Sequence, residues 1–171
     1  GNGMNPNGED RFYDSAFSPD GELIALAGDG DFYIVNITSR ATVYTLTNPP
    51  GSVNAIAWSP DGNYIAMCGG WEGGGASFDM YEFSGNSWVR IWEKSTSTSC
   101  YATDFSYDSN QVGAGHSYYQ GDGATAKVFN SDTGVLIDTF SGPRPGGCTS
   151  SGGGNNCGTI YGLAWSPDST H

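Results

Sequence analysis

Apolar residues in this chain come in short runs, interrupted by Gly, Pro, Asp and Ser. Val53-Asn54-Ala55-Ile56-Ala57-Trp58 stops at Ser59-Pro60-Asp61-Gly62, and Tyr64-Ile65-Ala66-Met67 follows at once. No window holds a sustained apolar period of 3.6, which argues against helices. Short β-rich runs between turn residues predict strands and hairpins. They are expected near 12–17, 22–27, 32–36 and 41–46, then near 53–58, 63–68, 76–83 and 88–93. A third group falls near 100–105, 111–115, 124–129 and 135–140, and a last strand near 159–165.

One motif recurs four times. Phe17-Ser18-Pro19-Asp20-Gly21 and Trp58-Ser59-Pro60-Asp61-Gly62 are followed by Phe105-Ser106-Tyr107-Asp108-Ser109 and Trp165-Ser166-Pro167-Asp168-Ser169. The serines stand at 18, 59, 106 and 166, so the spacings are 41, 47 and 60. The first matches the roughly 40–45-residue period of four-stranded propeller blades, and the others fit that period with insertions. The motif is a tight turn: Pro presets φ, Asp bonds its own backbone and Gly accepts positive φ. The aromatic before it is expected to anchor the strand, which places Phe17, Trp58, Phe105 and Trp165 in the core.

These features resemble the WD40 family. Ser52 to Gly62 looks like the innermost strand and turn of such a blade. Ala124 to Asp132, then Thr133-Gly134-Val135-Leu136-Ile137, looks like the third strand, its turn and the fourth strand. The usual Gly-His pair and Trp-Asp dipeptide are missing; Val35-Asn36 and Phe129-Asn130 stand in the latter position, and Val89-Arg90-Ile91-Trp92-Glu93 falls at a fourth strand. TolB-like propellers share the same turn. The resemblance implies an all-β protein, a β-propeller of four-stranded antiparallel blades, with about three blades plus the first strand of a fourth. Residues 1–10 form an N-terminal extension, and 11–171 an incomplete WD40-like propeller with blades near 11–47, 52–94, 99–141 and, partial, 159–171. A ring typically needs four to eight blades. The expected chain is therefore a piece of a longer propeller, or one completed by another subunit.

Charge sharpens this picture by exclusion. Net charge is −12, with lysine only at Lys94 and Lys127. Nucleic acid and anionic membrane surfaces would be repelled, and no stretch is apolar enough to span a bilayer. The chain begins at Gly1, which implies a removed leader or a fragment. Of the four cysteines none forms a CxxC pair, and two histidines leave little for zinc. An even cysteine count fits disulfides, and Asn36-Ile37-Thr38 is an N-glycosylation sequon. Both imply a secreted, extracellular protein. Cys148 with Cys157, and Cys68 with Cys100, are the expected pairs, with a glycan on Asn36.

In a WD40-like blade, second-to-third loops and blade connections share one face. The long segments Gly69 to Gly75, His116 to Gly123 and Ser141 to Gly158 all belong there. Trp71, Tyr118 and Tyr119, with Glu72 and Asp122, suit protein or carbohydrate contact, unless the rings fold back over the blades. No nucleophile arrangement is visible: His116 lies in a Gly-rich loop and His171 is terminal. Asp29-Gly30-Asp31 fits a turn better than a calcium loop. No metal, cofactor or catalytic residue is expected. The reading is a non-enzymatic extracellular scaffold or protein-interaction module, bound to copies of itself or to the rest of a longer propeller, and self-assembling into a filament or larger complex by strand or blade complementation. The alternative is a fragment of a secreted ligand-binding or enzymatic propeller whose active residues lie in missing blades.

Overall fold

The computed structural model describes residues 11–28, 31–47, 52–71, 74–84, 86–96, 98–117, 124–142 and 158–169. Twelve strands fall there, and no helix is found among the described residues. Blade 1 holds β1 (Phe12–Phe17), β2 (Leu23–Gly28), β3 (Asp31–Asn36) and β4 (Thr42–Thr47). Blade 2 holds β5 (Val53–Trp58), β6 (Tyr64–Trp71), β7 (Gly74–Ser84) and β8 (Ser87–Thr96). Blade 3 holds β9 (Cys100–Phe105), β10 (Gln111–His116), β11 (Thr125–Asn130) and β12 (Leu136–Ser141). Each blade is a separate sheet whose strands pair in chain order, always antiparallel.

The recurrent motif builds the first hairpin of every blade. Ser18 Oγ donates to Asp20 Oδ1 at 2.6 Å and accepts the Leu23 N–H at 2.9 Å. Ser59 repeats this with Asp61 and Tyr64, and Ser106 with Asp108 and Gln111. Gly21 and Gly62 close their turns at φ 71° and 80°. Ser109 and Ser169 take the same left-handed place at 62° and 58°. The third hairpins have their own device. Asn36 Oδ1 accepts the Ser39 N–H at 2.8 Å, and Asn130 Oδ1 the Thr133 N–H at 2.8 Å.

The core lies between blades. Ala25, Ala27, Phe32 and Ile34 of blade 1 meet Val53, Ile56, Ile65, Met67, Tyr81 and Trp88 of blade 2. On the other side of blade 2, Ala66, Cys68, Phe78 and Met80 meet Cys100, Phe105, Val112, Ala114 and Phe129 of blade 3. Alternate residues of β6 therefore face opposite blades, which is why Tyr64–Cys68 reads as an unbroken apolar run. Phe32 and Phe78 have no exposed surface, and each full burial of such a ring contributes about 1.5–3 kcal/mol.

Three local expectations change. Phe105 is buried, but Phe17 is 63% exposed, because the sheet that would cover its side of β1 is not one of the three blades. Trp58 and Trp165 are half-buried. Gly69 to Gly75 is not simply a loop: β6 runs to Trp71, β7 starts at Gly74, and those two residues pair. The segment near 159–165 is no strand in the structure. Its one bridge joins Thr159 to Ser117. A strand needs a partner within its own sheet, and this segment instead lies over β10. A Cβ built on Gly115 would fall 2.6 Å from Ile160, so glycine there gives that approach its room, and at Gly113 a Cβ would come within 3.2 Å of the Leu163 side chain.

Candidate interaction surfaces

Trp71 closes β6, while Glu72, Tyr118, Tyr119 and Asp122 lie outside the described residues, as do Asp29, Gly30, Cys148 and Cys157. Cys68 and Cys100 are joined in a disulfide with Cα atoms 5.3 Å apart, fully buried between blades 2 and 3. His116 is not a loop residue. It ends β10, pairs with Cys100 in register, and is buried. Neither ring nitrogen makes a hydrogen bond of good geometry. Burial pushes its pKa down to about 4 and Lys127 adds to that, against a main-chain contact with Thr98. A neutral imidazole sealed from solvent has no substrate to serve. Among the described residues no group of three or more His, Cys, Asp or Glu side chains is placed to hold a metal ion.

The opposite face carries the first-hairpin turns, and these touch across blade boundaries. The Asp61 N–H donates to Ser109 Oγ at 3.1 Å, and the Asp108 N–H to Ser169 Oγ at 3.0 Å. Between blades 1 and 2 the matching position is Gly62, which has no hydroxyl to offer. A cavity of about 280 Å³ opens there, lined in part by Pro19, Asp20, Trp58, Asp61, Phe83 and Trp88. Trp58 and Trp88 meet edge to face with ring centres 5.5 Å apart, and Phe83 tilts against Trp88 at 5.3 Å. The Ser18 hydroxyl and the Glu22 N–H hold the Asp20 carboxyl below its ordinary range. Burial would raise Asp61, but hydrogen bonds from Ser59, Asn63 and Ser109 outweigh it and leave the carboxyl lowered.

The inner strands are stitched by side chains. Asp14 Oδ2 accepts the Ile56 N–H at 2.9 Å, Asn54 Nδ2 donates to the Cys100 carbonyl at 3.1 Å, and Asp104 Oδ2 accepts the Trp165 N–H at 3.2 Å. Sequence reasoning missed these three. Their signal is a polar residue set in an otherwise apolar inner strand. It also missed Asp79, which has no exposed surface and whose Oδ1 has no partner. Burial raises that carboxyl to about 6 against the opposing pull of Arg90, 3.4 Å away.

Residues 40–74 match the family model "WD domain, G-beta repeat". The matched stretch runs from the edge of β4 across the blade boundary to the start of β7, so sequence repeat and structural blade are out of phase. The chain is 31% identical over 135 residues to a periodic tryptophan protein 2 homolog of Dictyostelium discoideum, covering 78% of this chain and 14% of that protein. It is 29% identical over 85 residues to a WD repeat-containing protein of Synechocystis sp., covering 50% of this chain and 20% of the relative. Similar solved structures include the β-propeller domain of Cps50 (Swd1) from Myceliophteria thermophila, at TM-score 0.63 and 11% identity over 78% of this chain and 42% of that one. The RRP9 WD40 repeats match at TM-score 0.64 and 17% identity, over 78% and 39%. U3-55K does so at TM-score 0.64 and 17% identity, over 78% and 40%.

Secretion is overturned by these matches. None of the matched relatives or structures is named as a secreted protein. One Asn-Ile-Thr triplet also occurs by chance in chains that never meet the secretory pathway. The Asn36 glycan loses its premise with it, and the Asn36 carboxamide serves the Ser39 turn. Nothing in the matches supports a filament, self-assembly or a carbohydrate ligand. The three described sheets, the matched repeat and the solved relatives agree: the chain is a run of WD40-like β-propeller blades, one of whose repeats spans residues 40–74.

Proposed function

We propose that this chain is a non-enzymatic protein-interaction scaffold, working inside the cell as part of a larger propeller. The observation that carries the reading is the pair of apolar faces at the two ends of the blade stack. Both core clusters are sealed between neighbouring blades. The outward side of blade 1 shows Tyr13 and Phe17 at 45% and 63% exposure, and beyond blade 3 Phe140 and Tyr161 stand at 57% and 70%. Bare apolar area of this kind marks a surface that another protein element covers. The chain spans 14% and 20% of the curated relatives it matches and about 40% of the solved ones, which favours further blades as that element.

A photo-crosslinking residue placed at Phe17 or Phe140 in the native protein tests this. Crosslinks from both positions into flanking blades of the same propeller are the expected result. Crosslinks only between copies of this segment would replace the ring with an oligomer. No crosslink to any protein would remove the scaffold reading.

A further inference from the structure

We propose that the slot between the Ser18 and Ser59 turns binds the arginine or lysine side chain of a protein partner. The proposal rests on the scaffold reading and names one of its contact points.

The slot is set apart from the rest of the turn face by a single position. At the boundary of blades 2 and 3, Ser109 fills the corner of its turn, and its hydroxyl ties back to the Asp61 N–H. At the boundary of blades 1 and 2 that corner is Gly62, where an added Cβ would meet only Pro19, at 3.9 Å. The turns therefore stay apart, and about 280 Å³ remains open between them. That lies just below the roughly 300–1,000 Å³ of sites for drug-sized ligands, and suits one extended side chain.

Its chemistry selects a cation. Trp58 and Trp88 are packed edge to face, and Phe83 stays 50% exposed beside them. Ring faces of this kind attract an ammonium or guanidinium group. Two carboxylates, Asp20 and Asp61, stand at the rim. Each is fixed in place by a serine hydroxyl at 2.6 Å, so little orientational freedom is lost on binding. Asp20 spends Oδ1 on its own turn, and no described group takes Oδ2. Among the described residues no lysine or arginine lines the slot, and the whole chain carries −12. Asp61 adds its charge at the rim while its oxygens accept from Ser59 and Asn63. An apolar side chain would leave Asp20 Oδ2 unmatched, and a phosphate or an acidic peptide would be repelled.

The test uses the full chain labelled with ¹⁵N and follows the indole N–H signals of Trp58 and Trp88. The probes are acetyl-Gly-Arg-Gly-amide, acetyl-Gly-Lys-Gly-amide and the norleucine peptide of the same length. Saturable shifts with the two basic peptides, and none with norleucine, are expected. Phe83→Ala and Asp20→Asn should each weaken binding about two- to fivefold. Gly62→Ser, which copies a corner that this chain already uses at Ser109, should narrow the slot and weaken the shifts. Equal shifts with norleucine, or no saturable shift with either basic peptide, would overturn the proposal. Crosslinks at Phe17 and Phe140 would be untouched by that failure, which keeps it separate from failure of the scaffold reading.

Discussion

Asp104 accepts the main-chain N–H of Trp165 at 3.2 Å, while the Trp165 indole N–H donates to the Asp104 carbonyl at the same distance. Two residues far apart in sequence thus grip each other twice across a blade boundary. Asp104→Ala keeps the carbonyl and removes the carboxylate. It should loosen the segment 158–169 by about 1–2 kcal/mol without unfolding blade 3. Trp165 would then respond more strongly to an added quencher while the strand signals of β9 to β12 stay in place. Unchanged quenching would show that the indole bond, the Ser169 contact and the packing of Ile160 and Leu163 hold the segment without the carboxylate.

Ser109 offers a cleaner test of compensation. Its φ of 62° is a place where a side chain costs about 1–2 kcal/mol, and its hydroxyl accepts the Asp61 N–H at 3.1 Å. Ser109→Gly relieves the strain and loses the bond, so urea unfolding should move little. Ser109→Ala loses the bond and keeps the strain, and should be less stable than the glycine variant by about 1–2 kcal/mol. Equal midpoints for the two variants would contradict this balance.

Asp79 and His116 act in opposite directions over one acid window. The Asp79 carboxyl is raised from 3.8 to about 6, so its folded form prefers the proton. Its stabilising share is present below about pH 4 and is lost as pH rises through 6. The His116 imidazole is lowered from 6.5 to about 4, so its contribution is present above 6.5 and is lost as pH falls through 4. Relative to wild type, Asp79→Asn should therefore gain stability between pH 4 and 7, by up to about 3 kcal/mol. His116→Asn should gain as pH falls through that same range, also by up to about 3 kcal/mol. Denaturant titrations at several pH values read both differences, and a flat difference for either variant would refute its share.

The Cys68–Cys100 bond closes a loop with a sequence separation of 32, and the chain-entropy account assigns such a loop about 3–4 kcal/mol. Reduction should lower the unfolding free energy by roughly that amount. Neither cysteine has any exposed surface, so a reductant must wait for local opening. At high dithiothreitol the rate of bond loss should stop rising with its concentration. A rate that stays proportional would mean the sulfurs are reachable in the closed fold.

How far the residues announced all this varies with the physics. The blades were legible because turn chemistry is local: Ser, Pro, Asp and Gly act within a few positions of each other. Even there, the motif gave roles to Pro, Asp and Gly and none to the serine hydroxyl, which is the hub of the turn. Phe17 was misread because an aromatic before a turn reports a wish to be buried, not whether a neighbouring sheet is at hand. The bonds from Asp14, Asn54 and Asp104 escaped because they depend on which backbone atom of the next blade stands opposite. His116 was placed in a loop because the glycines around it look like turn residues. Gly113 and Gly115 are in fact the flat floor on which the next segment lies.

The inner-strand bonds each reach from one blade to the next inner segment and no further. A chain tied this way should open from its ends like a frayed rope. Blade 2, clamped on both faces, would exchange its amide hydrogens last, and β1 and β12, each bare on one side, first. That gradient would vanish once flanking blades are present, so the pattern of amide exchange can report whether this stretch is standing alone or sitting in its ring.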